Sequence, residues 1–261
     1  MLQISPIPAF DDNYLWLLTD SQSTQAYIID PGDGKKVQQV LDQQGLTLMG
    51  ILVTHRHWDH VDGINDLLQH HPVPVYGPDA ETIPHITHPL HDGEHITLFD
   101  QYTFSVIASP GHTAEHISYY CADAFEYPLL FCGDTLFAAG CGRIFSDGSA
   151  EKLYHSLNTL AQLPSSTAVY CTHEYTLSNL EFAKAVEPNN SAFSQRQQQE
   201  QQKRYNGQAT IPTNIALEKQ TNPFLRVQQE SVKMAVSHHS SKILHNHSEV
   251  FTALRLWKDQ F

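Results

Sequence analysis

The sequence is poor in basic residues, in cysteine and in long apolar runs, and each shortage excludes a class of function. It holds 15 Lys and Arg against 28 Asp and Glu, which gives a formal net charge of −13. Neutralising phosphates needs clustered Lys and Arg, so this composition argues against nucleic-acid binding. No stretch approaches the roughly 18 apolar residues of a membrane span, and the N-terminus lacks a basic, signal-like region. We therefore expect a soluble, cytoplasmic protein with no nucleic-acid or membrane partner.

The cysteines show no pattern of close pairing. There are four of them, Cys121, Cys132, Cys141 and Cys171. They lie in or beside apolar runs, which is typical of reduced, buried thiols and not of a disulfide framework. A chain of 261 residues is long enough to bury a large core without covalent support.

Up to about residue 172, short apolar runs alternate with turns and helical patterns. Residues 14–18 and 26–29 predict a hairpin around the polar tip at residues 21–24, and the second strand ends in the turn Asp30-Pro31-Gly32. Val37 and Leu41 at helical spacing predict a helix before a strand at residues 51–53. This alternation indicates an α/β protein whose sheets are covered by helices.

Beyond residue 173 the pattern becomes helical. Ser178 and Glu181 predict a capping box for a helix through Val186, and further helices are predicted at residues 191–205 and 249–259. The glutamine-rich middle of the second helix predicts a solvent-facing surface. We find no convincing strand in this region. The sequence thus predicts an α/β domain at residues 1–173 and a helical domain at residues 174–261.

Residues 54–60 concentrate candidate metal ligands directly after the apolar run at residues 50–53. The candidates are His55, His57, Asp59 and His60. Imidazole and carboxylate without thiolate is a ligand mixture that zinc, iron or manganese accepts. With 17 histidines in the chain, some crowding is accidental, and we interpret the pairs at 70–71 and 238–239 as surface histidines. The cluster differs because it contains a carboxylate and has counterparts downstream.

Three more predicted strands lead into a histidine or an aspartate. The apolar runs at residues 104–108, 129–131 and 168–171 lead to His112, Asp134 and His173, respectively. In open α/β sheets, ligands gather outside the carboxyl ends of strands, so we expect the four loops to meet in one crevice. Five histidines and two aspartates exceed the three protein ligands of one catalytic metal, and they suit two metals that share a carboxylate.

Taken together, these motifs resemble the metallo-β-lactamase superfamily. The resemblance rests on Thr54-His55-Arg56-His57-Trp58-Asp59-His60, Gly111-His112-Thr113, Gly133-Asp134-Thr135 and His173. A narrower resemblance, to the glyoxalase II (hydroxyacylglutathione hydrolase) family, runs nearly end to end and includes residues 133–137, 140–143, 172–175, 222–226 and 258–261. It implies an αββα sandwich followed by a C-terminal all-helical domain that binds the substrate.

The resemblance assigns the seven candidates to two divalent metal ions per chain. The first ion would be held by His55, His57 and His112. The second would be held by Asp59, His60 and His173. Asp134 would bridge the two, and with Asp59 it is a candidate catalytic residue. Zinc is the expected metal, although iron and manganese accept the same donors.

The same resemblance implies hydrolysis of S-D-lactoylglutathione, or another S-2-hydroxyacylglutathione, to glutathione and D-lactate or the corresponding 2-hydroxy acid. A metal-bridging hydroxide would attack the thioester carbonyl, and the metals would stabilise the oxyanion. The thiolate leaves easily because thiols have a pKa of about 8.5, so no strong general acid is required. The expected partner is this glutathione thioester, and the expected state is a monomer.

Glutathione carries two carboxylates, so an acidic protein needs local cations to bind it. By resemblance, Arg143, Arg255 and Lys258 supply them, and Tyr175 donates a hydrogen bond to the peptide part. Arg255 and Lys258 are three residues apart on the last predicted helix and could face one ligand together.

Three positions depart from the family pattern. Phe145 stands where some members carry a tyrosine, so a hydroxyl contact to glutathione is lost there. Glu115 replaces a glycine that is common before His116, and Asp62 replaces a frequent glycine after the metal motif. None of these residues is a predicted ligand.

Three rival functions follow from the same residues. A persulfide dioxygenase with one iron would leave Asp59, His60 and His173 unused, and it usually lacks a long helical C-terminus. A β-lactamase or nuclease-like hydrolase fits poorly with the acidic charge and with the lack of a signal peptide. A metal-binding or scaffold protein on this fold would release no thiol from a thioester.

Overall fold

The computed structural model describes residues 1–124 and 126–261. The chain divides into two compact units. Unit 1 comprises residues 1–108 and 115–133, and unit 2 comprises residues 109–114 and 134–261.

The first sheet of unit 1 has six strands that pair in chain order. They are β1 (Leu2–Ala9), β2 (Asn13–Asp20), β3 (Gln25–Ile29), β4 (Thr47–Leu52), β5 (Val75–Pro78) and β6 (His88–Leu90). The first three strands are antiparallel neighbours, whereas β3 to β6 run parallel. The connections from β3 to β5 contain α1 (Gly34–Gln44), α2 (Trp58–Val61) and α3 (Ile64–Leu68). The predicted hairpin and the predicted helix around residue 37 are confirmed.

One face of this sheet packs against the helices. Leu15 and Leu17 of β2 share a buried cluster with Val37 and Leu41 of α1. The spacing of four residues within α1 places both of its apolar side chains on the side that meets the sheet. Because residues 13–18 are all buried, the opposite face of β2 is covered as well. Strand β2 is therefore covered on both faces over these residues.

The second sheet of unit 1 is an antiparallel meander. Its strands are β7 (His95–Leu98), β8 (Tyr102–Ala108), β9 (Ile117–Cys121) and β10 (Leu129–Gly133). Tyr119 Oη donates to the Val53 carbonyl oxygen at 2.7 Å, and the Ile117 amide donates to the Thr54 carbonyl oxygen at 3.0 Å. Burial raises the pKa of Tyr119 well above its usual value, so the phenol remains a donor. Strand β9 thus fixes the segment that begins the histidine cluster.

Unit 2 contains the rest of the secondary structure. Its strands are β11 (Leu136–Phe137), β12 (Gly140–Cys141), β13 (Ala168–Cys171) and β14 (Thr213–Asn214). Its helices are α4 (Ala150–Ala161), α5 (Thr176–Val186), α6 (Ser191–Tyr205), α7 (Ile215–Thr221), α8 (Glu230–Ser240) and α9 (His247–Gln260). A 3₁₀ turn spans Pro223–Leu225. Within the described residues, no helix has the length and apolarity that crossing a membrane requires.

The helices predicted after residue 173 are confirmed as α5, α6 and α9, but the predicted capping box is wrong. Helix α5 begins at Thr176, and Ser178 lies inside its first turn, where its hydroxyl donates to the Tyr175 carbonyl oxygen at 3.0 Å. The short strand β14 was also missed. It pairs with β13 over two residues, too few to produce an alternating pattern in the sequence.

The sequence predicted that the glutamine-rich middle of α6 faces solvent, and this prediction is only partly confirmed. Arg196 and Glu200 are only 2% and 3% exposed. Arg196 Nη2 donates to Glu218 Oε1 at 2.6 Å, so a buried ion pair replaces the expected hydration. A pattern within one helix cannot reveal such a partner because Glu218 lies on α7.

All four cysteines are buried thiols, as the sequence predicted. Burial raises the pKa of Cys141 to about 11 and that of Cys171 to about 12. Both thiols therefore stay protonated near neutral pH and act as core side chains.

Candidate metal centre

The cluster at residues 54–60 lies between β4 and the first turn of α2 in unit 1. His55 Nε2 lies 3.0 Å from His57 Nδ1, and His60 Nε2 lies 3.4 Å from Asp59 Oδ2. The rings of His55 and His60 have centroids 4.0 Å apart. Both of these histidines are fully buried. All four predicted ligands of this loop are thus close neighbours.

Asp30 determines which ring nitrogens in this cluster carry protons. Its Oδ1 accepts from the Thr54 amide and its Oδ2 from Thr54 Oγ1, both at 2.7 Å. His60 Nδ1 lies 3.0 Å from the same Oδ2. The negative charge of Asp30 favours the His60 tautomer whose proton is on Nδ1 and whose Nε2 keeps its lone pair, although this contact lacks hydrogen-bond geometry.

Asp30 also acts on His55, through hydrogen bonds that pass through Thr54. The proton of Thr54 Oγ1 is committed to Asp30, so this hydroxyl accepts from His55 Nδ1, which lies 3.1 Å away. His55 Nε2 is left as the acceptor that faces His57. One carboxylate therefore presents two imidazole lone pairs to the cluster, as outer partners of metal-binding histidines do.

The sequence reasoning interpreted Asp30 only as a turn residue and missed this role. The signal was present: Asp30 follows the buried end of β3, just as the predicted ligands follow other strands. Asn13 was also missed, and its Nδ2 donates to Asp59 Oδ2 at 2.9 Å. A Cβ at Gly32 would overlap the Asp59 carbonyl group, so glycine is required where the turn meets α2.

Glu115 pairs with the metal-motif loop, which gives a reason for its departure from the common glycine. Its Oε2 accepts from Arg56 Nη1 at 2.7 Å and its Oε1 accepts from the Arg56 amide at 3.3 Å. The neighbouring His116 is buried and its ring stacks on His55, with centroids 4.8 Å apart. Both residues directly precede β9 and contact the loop at residues 54–60.

Unit 2 holds the other three predicted ligands around one carboxylate. His112 Nε2 lies 3.5 Å and His173 Nε2 lies 3.4 Å from Asp134 Oδ2. His112 Nδ1 lies 2.8 Å from the Arg143 carbonyl oxygen, which only accepts, so this histidine also presents Nε2 as a lone pair. All three side chains are more than nine-tenths buried.

The donor sets in both units fit a divalent metal. Zinc–nitrogen bonds are about 2.0–2.1 Å, so donors placed tetrahedrally about one ion lie about 3.4 Å apart. Within each unit the separations of adjacent donor atoms are 3.0–3.5 Å. The donors are imidazole nitrogen and carboxylate oxygen, and the outer nitrogens of His55, His60 and His112 have partners. The chain therefore carries a His/Asp cluster suited to a metal centre.

Two of the predicted glutathione contacts lie beside the ligands of unit 2. Arg143 is exposed, and its carbonyl oxygen is the partner of His112. Tyr175 is half-buried, and its ring stacks on His173 with centroids 4.7 Å apart and planes at 2°. Phe145 is 47% exposed, and its ring edge meets His112 at 5.2 Å between centroids.

The other two predicted contacts lie on α9, as expected. Arg255 is buried, and its Nη1 donates to the Cys141 carbonyl oxygen at 3.0 Å while its Nη2 donates to Asp259 Oδ1 at 2.8 Å. Lys258 Nζ lies 3.4 Å from the Ser178 carbonyl oxygen. Burial, followed by the positive charges of Arg255 and Arg143, lowers the pKa of Lys258. Arg255 is thus more enclosed than its predicted role suggested.

The sequence matches two family models that together span most of the chain. Residues 10–173 match the model "Metallo-beta-lactamase superfamily", and residues 174–261 match "Hydroxyacylglutathione hydrolase C-terminus". A hydroxyacylglutathione hydrolase of Aliivibrio salmonicida is 49% identical over 264 residues, and one of Pseudomonas aeruginosa is 48% identical over 262 residues. Each alignment covers 100% of both chains.

Two solved structures resemble the fold. ETHE1 from Myxococcus xanthus superposes with a TM-score of 0.66 at 25% identity, covering 99% of this chain and 98% of that one. TTHA1623, solved in a di-iron-bound form, superposes with a TM-score of 0.61 at 25% identity, covering 85% of this chain and 100% of that one.

Proposed function

Because the chain belongs to the hydroxyacylglutathione hydrolases of the metallo-beta-lactamase superfamily, we propose that it cleaves S-D-lactoylglutathione to glutathione and D-lactate at a centre of two divalent metal ions. Relatives that align over the whole chain are named hydroxyacylglutathione hydrolases, and an S-hydroxyacylglutathione is a thioester. This full-length identity, combined with an intact set of imidazole and carboxylate donors, is the observation that carries the proposal.

The proposed metal ligands are the seven residues predicted from the sequence. His55, His57 and His112 are assigned to the first ion, Asp59, His60 and His173 to the second, and Asp134 to both. The superfamily match at residues 10–173 contains all seven, which supports the assignment. Such ions, when bound, supply Lewis acidity that lowers the pKa of a water ligand towards neutrality and stabilises negative charge on the attacked carbonyl. Zinc is the proposed metal, and the same donors accept iron or manganese.

The chain's own residues prepare the donors before any metal binds. Asp30 favours a proton on His60 Nδ1 through its negative charge, and through Thr54 it holds the His55 proton on Nδ1. Asn13 fixes one oxygen of Asp59. These contacts orient the lone pairs, so little rearrangement is needed when the ions enter.

Residues 174–261 are proposed to form the glutathione-binding domain, with residues 1–173 as the catalytic domain. The C-terminal family match at residues 174–261 supports this division. Arg143 and Lys258 would pair with the glutathione carboxylates, and Tyr175 would donate to the peptide part. Arg255 would add positive charge next to Lys258 while its guanidinium holds the Cys141 carbonyl group. We further propose a cytoplasmic monomer, which cell fractionation and gel filtration test.

The decisive experiment follows the loss of S-D-lactoylglutathione with purified protein, before and after treatment with a chelator. We expect metal-dependent turnover with release of one thiol per thioester. Absence of turnover by metal-replete protein would refute the proposed reaction. Oxygen uptake with one iron per chain would instead support the persulfide dioxygenase.

The ligand assignment has a separate test. Asp134→Ala should abolish turnover and reduce the metal content measured by mass spectrometry, because this carboxylate lies between two imidazoles. Turnover and metal content equal to wild type would disprove the assignment of Asp134.

A further inference from the structure

The turn at residues 136–142 connects Asp134 to Arg143 and is held mainly by side chains from elsewhere in unit 2. Its strands β11 and β12 pair over only two residues each. Leu136, Ala138 and Ala139 are at most 1% exposed. Buried backbone groups need hydrogen-bond partners, and so short a ladder leaves most of them to be satisfied by other groups.

Asn222 and Glu218 supply several of these partners. Asn222 Nδ2 donates to the carbonyl oxygens of Gly140 at 2.8 Å and Phe137 at 3.2 Å, and so joins both strands of the turn. Glu218 Oε2 accepts from the Ala139 amide at 2.8 Å. Asn222 lies directly after α7 and is fully buried.

The two residues are themselves firmly fixed. Glu218 is fully buried, and its Oε1 accepts from Arg196 Nη2 and Thr213 Oγ1, each at 2.6 Å. Asn222 Nδ2 lies 3.0 Å from Glu218 Oε2, and Asn222 Oδ1 accepts from the Phe224 amide at 3.1 Å. A side chain that is itself fixed by hydrogen bonds in the core can fix the backbone groups to which it donates.

The 136–142 turn lies beside the three ligand candidates of unit 2. A Cβ at Gly142 would overlap the Asp134 carbonyl oxygen, so the two segments are in direct contact. The Phe137 ring meets the His173 ring edge-on at 5.6 Å between centroids. The Arg143 carbonyl oxygen, one residue past the turn, holds His112 Nδ1 at 2.8 Å. A displacement of the turn would therefore move all three.

We propose that Asn222 is a positioning residue, which sets the 136–142 turn and through it the geometry of His112, Asp134 and His173. It contacts no reacting atom in this scheme. The inference rests on the proposed function in taking these three residues as metal ligands. It gives the C-terminal region a second role, in which residues after α7 shape the metal site in addition to binding glutathione.

Asn222→Asp tests this role with little change in volume. The aspartate keeps the oxygen that accepts from Phe224, but it replaces the amide donor with an oxygen that faces the carbonyls of Phe137 and Gly140. Asn190→Asp is the matched control. Asn190 likewise caps a helix through Oδ1 and donates from Nδ2 to a backbone carbonyl, that of Gln220, but it does not contact the turn.

Zinc affinity is measured by competition with a chromophoric chelator, and turnover is measured separately at saturating zinc. We expect Asn222→Asp to weaken zinc binding and to lower kcat, each about tenfold, which is the lower end of the loss seen for direct outer partners of metal ligands, because Asn222 acts through the turn. Asn190→Asp should match wild type in both. Thermal unfolding reports any general loss of stability.

Wild-type zinc affinity and kcat in folded Asn222→Asp protein would overturn the proposal, as would equal losses in Asn190→Asp. If Asn222→Asp does not fold, zinc affinity and kcat are measured in Asn179→Ala instead. Asn179 Nδ2 donates to the Ala138 carbonyl oxygen at 3.1 Å in the same turn, so wild-type values in this variant would likewise overturn the proposal. Weaker zinc binding by a variant of a protein that shows no thioester turnover would support the positioning role while refuting the proposed reaction.

Discussion

Replacing Asp30 with asparagine probes how the fold controls the protons of the metal-motif histidines. The substitution keeps the oxygen that accepts from the Thr54 amide, but it turns Oδ2 into an amide donor. Thr54 Oγ1 and His60 Nδ1 now meet a donor at 2.7 and 3.0 Å. His60 can accept at Nδ1 only if its proton moves to Nε2, the nitrogen that faces Asp59 at 3.4 Å. A protonated Nε2 cannot bind a metal.

The magnitude follows from the contacts that are lost. The hydrogen bond from Thr54 Oγ1 to the charged carboxylate contributes about 1.5–3 kcal/mol, so losing it weakens the loop by about that amount before the loop relaxes. A domain has about 5–15 kcal/mol of stability, so folded protein should remain for study. Loss of an outer partner of a metal ligand costs about 10–100-fold in affinity, equivalent to about 1.4–2.7 kcal/mol. We expect zinc affinity to fall within that range.

The assay is zinc competition against a chromophoric chelator, combined with urea unfolding of the metal-free protein. Asp33→Asn is the control, because Asp33 accepts from the Lys36 amide at 3.1 Å as the cap of α1, and asparagine preserves such a cap. Wild-type zinc affinity in folded Asp30→Asn protein would show that this carboxylate does not set the histidine tautomers.

Three further changes have defined outcomes. Arg196→Met removes the ion-pair partner of the buried Glu218 side chain, so urea unfolding should show that the free energy of unfolding falls by about 3–5 kcal/mol. A fall below about 1 kcal/mol would contradict the role of the ion pair. Because the pKa of Lys258 is lowered, its charge is lost at a lower pH than that of an ordinary lysine, and KM for the thioester should rise as it is lost. Lys258→Arg should remove that rise, because arginine keeps its charge. If KM depends on pH identically in wild type and Lys258→Arg, the charge of Lys258 does not contribute to substrate binding. Phe145→Tyr should lower KM about fivefold if its hydroxyl gains one hydrogen bond of about 1 kcal/mol, and an unchanged KM refutes this.

Strands β10 and β13, which precede Asp134 and His173, were predictable because each is a short apolar run. Strand β10 is buried at every position, and so is β13. Strand β1 was not recognised because Pro6 and Pro8 interrupt its apolar pattern. The structure shows why it forms nevertheless: β1 is the edge strand of its sheet, where a missing amide on the open side breaks no ladder.

The sequence by itself determined the ligand types and their close spacing. Within residues 54–60 the chain is too short to separate His55, His57, Asp59 and His60, whatever the rest of the fold does. Similarity along the whole chain likewise determined the family and the class of reaction. The first depends only on neighbouring residues and the second only on shared ancestry, so neither depends on the tertiary structure.

Only the tertiary structure decided how those ligands are held. Asp30 reaches Thr54 across 24 positions of sequence, and Asn222 reaches Gly140 across 82. A hydrogen bond between such distant groups forms only when packing brings donor and acceptor within about 3 Å, so no local pattern announces it. The motif thus specifies which atoms can bind a metal, and the fold specifies which of them keep their lone pairs and where they point.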